Sequence, residues 1–202
     1  MLNVINQNGI EAAIKLYPSI QHASTHYLNE SEMNNVGYQL LQSGKTIEAA
    51  TVFKWNVEAY PRSFNVYDSY GESLLALGDT AQSIVNYKKS LELNPTSEYG
   101  IKALRALGVD PESFLLKVPI EQLQLLAGDY VTTNKANGRE WKISFSVENG
   151  VLTGHDGAYQ YKLAPQGNNE FINPDDGAVL QFDTSDKHAI TLGLLGFVFR
   201  KV

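Results

Sequence analysis

Met33-x-x-Val36-Gly37-x-x-Leu40, then Ala49-x-x-x-Phe53, then Pro61: 34 residues further on the same pattern returns as Tyr67-x-x-Tyr70-Gly71-x-x-Leu74, Ser83-x-x-x-Tyr87 and Pro95. Leu41 with Leu75, Gly44 with Gly78, and Val57 with Leu91 recur in the same register. Apolar residues three, four and seven apart share one face of a helix, so each copy reads as helix, turn, helix. Asn29 with Glu32 makes a capping pair that predicts a first helix from about Glu30 to Ser43, and Asp79 with Gln82 opens the last helix of the second copy. Gly44 and Gly78 fit as C-terminal caps. Gly37 and Gly71 fall where the paired helices would cross too closely for a side chain.

Outward from this stretch, Gly9 to Tyr17 reads as a half repeat, with Ala13-x-x-x-Tyr17 standing where Ala49 and Phe53 stand later. Pro18 is expected to stop or kink it. His22 and His26 lie four apart and would share a helix face, but no third ligand is near, so they read as surface or packing residues. After Pro95, a helix starting at Thr96 or Ser97 carries the apolar row Ile101, Leu104, Leu107, and Glu98, Lys102 and Arg105 give it the polar outer face that a terminal element of a stack needs. Residues 109–119 read as a linker with its own apolar patch at Phe114 to Leu116, expected to pack between domains.

Beyond Pro119 the periodicity changes. Ile120 to Ala127 reads as a short helical lead-in, and Trp141, Ile143, Phe145 and Val147 then alternate with Lys142, Ser144, Ser146 and Glu148, which is a strand with one buried face. Tyr159, Tyr161 and Leu163 repeat the alternation, as do Leu180 with Phe182, Ile190 with Leu192, and Phe197 with Phe199. Turn signals separate these runs, among them Asn137-Gly138, Asp156-Gly157 and Asp175-Asp176-Gly177; Asn149-Gly150 is the clearest hairpin, since both residues accept positive φ. About eight short strands predict an antiparallel barrel or sandwich. The organisation expected is α+β in two domains: residues 1–108 as helical repeats (half repeat 9–27, full repeats 30–63 and 64–97, capping helix 98–108), a linker 109–119, and a β-domain 120–202.

Composition narrows the function classes. The chain has 202 residues, net charge −6 and no cysteine. Residues 1–118 carry 9 Lys/Arg against 12 Asp/Glu and residues 119–202 carry 7 against 10, so neither part has the basic stripe that nucleic acid or an anionic membrane surface requires. Disulfides, thiolate metal sites and cysteine nucleophiles are excluded. The first residues lack a signal-peptide pattern and no stretch approaches a membrane span, so the expectation is a soluble chain, cytoplasmic or a fragment of an exported protein.

In spacing and order, Met33 to Pro95 resembles the tetratricopeptide repeat, a helix-turn-helix unit of about 34 residues. The runs Asn34-Asn35-Val36-Gly37-Tyr38-Gln39-Leu40-Leu41 and Asn86-Tyr87-x-Lys89-Ser90-Leu91-Glu92-Leu93-Asn94-Pro95 are also similar to the repeat tail that follows the catalytic domain in some bacterial beta-lactamase-like serine hydrolases and esterases. The Leu123 to Leu126 lead-in before Gly128-Asp129-Tyr130 resembles the C-terminal ends of those proteins. The resemblance implies a protein-binding scaffold and reaches only accessory parts of that family. None of the 14 serines has a lysine three positions on, and Gly71-Glu72-Ser73-Leu74-Leu75 has Leu75 where a nucleophile elbow needs glycine, so no activity is carried over.

Three functional readings follow. The preferred one is a non-catalytic interaction module, with no cofactor and no metal, whose working surface is the face of the first helices: Asn34, Tyr38, Leu41, Asp68, Glu72, Leu75 and Lys102, with Tyr99 beside them. Asp68 and Glu72 are expected on an exposed face and would repel an acidic C-terminal tail, so a polar, partly basic or amphipathic peptide is the expected partner. A second reading is a small-ligand carrier with a β-domain cavity lined by Trp141, Tyr159, Tyr161 and Phe199. A third is a structural accessory to a hydrolase. Asp175 and Asp176, His155 with Asp156, and His188 read as turn or strand-end residues rather than sites.

Overall fold

The computed structural model describes residues 1–21, 29–134 and 138–202. His22, His26 and the Asn137 turn signal lie outside the described residues, as does the end of the expected half repeat. The chain divides into two compact units, residues 1–91 with 97–111, and residues 92–96 with 112–202.

Helices α1 (Leu2–Gln21), α2 (Glu30–Gln42), α3 (Thr46–Ala59), α4 (Phe64–Ala76), α5 (Thr80–Leu93) and α6 (Glu98–Ala106) form the first half of the chain. The sequence signals that predict them are visible as geometry. Asn29 accepts from the Glu32 N–H at 2.9 Å while the Glu32 carboxylate accepts from the Asn29 N–H at 3.2 Å, a complete capping box at the start of α2. Asp79 accepts from the Gln82 N–H at 3.0 Å at the start of α5, and Ser97 caps α6 through the Gly100 N–H at 3.3 Å. Gly44, Gly78 and Gly108 stop α2, α4 and α6 at φ of 74°, 84° and 76°.

The 34-residue offset recurs in the packing. A Cβ on Gly37 would stand 2.5 Å from the Phe53 ring, and one on Gly71 would stand 3.1 Å from the Tyr87 ring. Phe53 and Tyr87 are 0% and 1% exposed, so each small residue on a first helix admits the buried aromatic ring of the second. Burying such a ring stabilises by roughly 1.5–3 kcal/mol.

Helix α1 departs from the expected half repeat. It begins at Leu2, bends at Gly9 where φ is 76°, and continues through Pro18 to Gln21. Ile5 is 2% exposed in the same cluster as Leu40, Val52 and Phe53, so residues ahead of position 9 belong to the helical core. Pro18 does not end the helix. It sits in the last turns, beyond the residues that bury Ala13 and Tyr17, and the Tyr17 ring stacks on Trp55 at 4.3 Å between centroids.

After α6 come a 3-10 turn, Pro111–Ser113, and α7 (Ile120–Leu126). Among the described residues nine antiparallel strands follow: β1 (Gly128–Thr133), β2 (Glu140–Glu148), β3 (Val151–His155), β4 (Gln160–Lys162), β5 (Ala164–Gly167), β6 (Glu170–Ile172), β7 (Val179–Asp183), β8 (Thr191–Leu194) and β9 (Phe197–Lys201). Their order in the sheet is β4-β3-β2-β1-β9-β8-β7-β6-β5. The two outermost strands are consecutive in the chain and separated only by Leu163, so one bent segment joins both edges and nearly closes the sheet into a barrel. The β2–β3 hairpin turns at Asn149 and Gly150, with φ of 52° and 78°, as the sequence predicts.

The barrel interior is packed. Tyr130, Phe145, Phe171 and Phe182 meet edge to face at centroid distances of 5.4, 5.6, 5.3 and 5.8 Å. Leu123 and Leu126 of α7 join this cluster, and the Tyr130 hydroxyl donates to the Leu126 carbonyl at 2.9 Å. Lys201 donates to the Leu125 carbonyl at 2.7 Å, so α7 is tied down beside the ends of β1 and β9.

The segment that joins the two edges pairs first with β3 and then with β6. β4 pairs with β3 through Thr153 and Lys162, and the Leu163 N–H reaches the Leu152 carbonyl at 2.9 Å. In the same register residue 165 would face Gly150, which belongs to the hairpin turn, so the ladder has run its length there. β5 pairs with β6 instead, and Val151 at the start of β3 has no strand partner on that edge.

Candidate functional site

Helices α2, α4 and α6 each contribute to one polar constellation. Tyr38 of α2 donates its hydroxyl to the Glu72 carboxylate at 2.9 Å and lies 3.2 Å from the Ser69 hydroxyl, both on α4. Tyr99 of α6 lies near enough to Glu72 for that carboxylate to act on its hydroxyl, and its ring packs on Tyr87 at 6.1 Å between centroids. Tyrosines from the helices on either side thus flank one carboxylate, and Tyr38 holds it by a hydrogen bond. Burial raises the Tyr38 hydroxyl to about 12, helped by the adjacent negative charge of Glu72. Burial and the neighbouring Glu72 carboxylate push the Tyr99 hydroxyl up as well, so both remain donors at neutral pH. Glu72 and Tyr38 are half-buried, and Tyr99 is 46% exposed.

Asp68 lies one turn before Glu72 on α4 and corrects the expectation of an exposed face: it is 6% exposed. The α6 cap Ser97 donates to its Oδ2 at 3.1 Å, while its Oδ1 is buried without a hydrogen bond. Burial raises its carboxyl to about 6, against the lowering pull of the Ser90 and Ser97 hydroxyls. The Ser90 oxygen nonetheless engages no partner in the rotamer shown. Asp68 cannot contact a ligand directly; it underlies the Glu72 cluster and ties α4 to the start of α6.

The remaining first-helix residues divide. Asn34 is half-buried, with its Oδ1 buried and without a hydrogen bond. Leu41 packs against the core of α1 to α3, whereas Leu75 is 37% exposed. Lys102 points to solvent in an exposed pair with Glu98 at 3.8 Å, so it stands apart from Glu72. Among the described residues, no three His, Asp or Glu side chains gather as metal ligands, and no helix is long and apolar enough to cross a membrane.

The four aromatics expected around one β-domain cavity are not brought together. Phe199 is 3% exposed inside the packed barrel, and Trp141 packs on Phe197 at 4.7 Å. Tyr159 lies on the β3–β4 turn, not on a strand, and is 74% exposed. Tyr159 and Tyr161 do line a recess of about 330 Å³ at the end of the barrel, over Ile143, Leu180 and Leu194. Its carboxylates are spent on turns: Asp156 accepts from the Tyr159 N–H at 3.0 Å and Asp176 from the Ala178 N–H at 2.8 Å. His155 lies 3.1 Å from the Ser146 hydroxyl and 3.7 Å from Glu148, and the His188 N–H donates to Asp186 at 2.9 Å.

The sequence did not single out Ser69, which meets Tyr38, or Ser97, which meets Asp68. A serine in a helix gives no periodic signal, and only the contact between helices reveals its role. Comparison with protein-family models and with curated proteins finds no match for this chain.

Proposed function

We propose that the helical unit is a non-catalytic interaction module of the tetratricopeptide type, in which the α2–α4–α6 face holds a peptide segment through a basic side chain. The observation that carries this reading is the Glu72 carboxylate, hydrogen-bonded by Tyr38 and flanked by Tyr99. The Tyr38 donor fixes the carboxylate in place without neutralising it, and a fixed charge beside a half-exposed aromatic ring suits a guanidinium or ammonium group. The 34-residue recurrence of sequence and of the Gly–aromatic contact supports the repeat reading. Asp68 beneath and Glu72 above make the face unfavourable for an acidic tail.

An arrayed peptide library tests it. Peptides containing Arg or Lys next to apolar residues should be retained by the full chain, charge-reversed versions should not, and Glu72→Gln should weaken retention about fivefold or more, since a Gln keeps the tyrosine contacts and loses the charge. Equal retention of acidic and basic peptides contradicts the reading.

A further inference from the structure

Where the β3–β4 ladder ends beside the Asn149–Gly150 turn, a cavity of about 480 Å³ lies within the second unit. Its floor is Leu152, Leu163 and Phe171, all 1–2% exposed residues of the barrel core, and the segment Leu115 to Val118 lies across it. In a chain of net charge −6, the polar lining is notable for its sign. Lys117 and Lys162 reach the cavity, with Asn94, Thr96 and Asn149, and no carboxylate does.

We propose that this seam is a binding site for a small anionic amphiphile, a carboxylate on a short alkyl or aromatic body. The apolar body lies over the Leu163 and Phe171 floor and against Leu116, Val118 and Pro165, whose exposed or half-buried surface it removes from water. The carboxylate stays at the rim with the Lys162 ammonium. The volume is within the range of small-molecule sites, roughly 300–1,000 Å³. The site differs from the recess at Tyr159 and Tyr161, where every nearby ionised side chain is acidic and an anion would be repelled.

Titration of the full chain with decanoate, followed by calorimetry and by amide chemical shifts, tests the proposal. Saturable binding with shifts at Leu116, Lys162, Leu163 and Phe171 is expected, and decyltrimethylammonium at the same concentrations should bind at least about tenfold more weakly. Lys162→Glu, at an exposed position, should weaken decanoate about three- to tenfold. Leu116→Trp, where the wild-type side chain is 51% exposed, should block entry while leaving the β-sheet circular dichroism unchanged. Equal binding of the anion and the cation, shifts confined to the Tyr159 recess, or no saturable binding overturns it.

Discussion

Gly37 and Gly71 occupy equivalent places, but the room above them differs. A Cβ at Gly37 would stand 2.5 Å from Phe53, a distance at which the ring must move, whereas at Gly71 the nearest ring atom is 3.1 Å away. Alanine gains about 1 kcal/mol in helix propensity at either site. Overpacking costs typically 1–3 kcal/mol. Gly37→Ala should therefore lower the unfolding free energy by about 1–2 kcal/mol, and Gly71→Ala should stay within about 1 kcal/mol of wild type, as measured by urea unfolding followed at the helical band. The same scale governs Asp68. Burial raises its carboxyl from the ordinary 3.8 to about 6, so between these limits the folded chain holds a proton that the unfolded chain releases. The contribution of this group is thus most favourable below pH 4 and is lost as pH rises to 6 and beyond. Asp68→Asn keeps an acceptor for Ser97 and removes the buried charge. Relative to wild type, it should gain on the order of 2–3 kcal/mol on going from pH 4 to pH 7, at ~1.4 kcal/mol per pKa unit; an offset independent of pH would show that Asp68 does not titrate in this range.

At the scale of elements, most boundaries were legible because each rests on local chemistry. The Asn29–Glu32 capping box starts α2, and Asn29→Ala should cost about 1 kcal/mol in the same unfolding assay. Glycines at positive φ end three helices, and Asn149-Gly150 sets the β2–β3 hairpin. What the sequence hid depends on contacts between elements. Leu2 to Asn8 shows no strong periodicity, yet Ile5 is buried because α3 and α2 supply its neighbours. Asp68 reads as a solvated helix residue until the cap of α6 covers it. Tyr159 fits an alternating strand, but the Asp156 side chain captures its N–H and makes it part of a turn. Trp141, Tyr161 and Phe199 alternate correctly and still share no cavity, since alternation fixes the face of a sheet and not which residues meet across a barrel.

For the whole molecule, charge is the property that both candidate sites use, with opposite sign. The chain carries a net charge of −6, which would favour the basic partner proposed for the Glu72 face, while the lining of the Pro165 seam holds two lysines and no acid. Association of a basic peptide should accordingly slow as salt rises, because the Debye length shortens to about 8 Å at physiological ionic strength. Stopped-flow association rates at low and at physiological salt check this, and a rate that does not change would remove electrostatics from the encounter. The most direct measurement is the equilibrium affinity of one Arg-containing peptide, selected by the wild-type chain, for wild type and for Glu72→Gln at fixed salt, by fluorescence anisotropy. A loss of about fivefold or more, with unchanged helical circular dichroism, is the result expected from a carboxylate held by Tyr38 and flanked by Tyr99 for a basic partner. Equal affinities would contradict it.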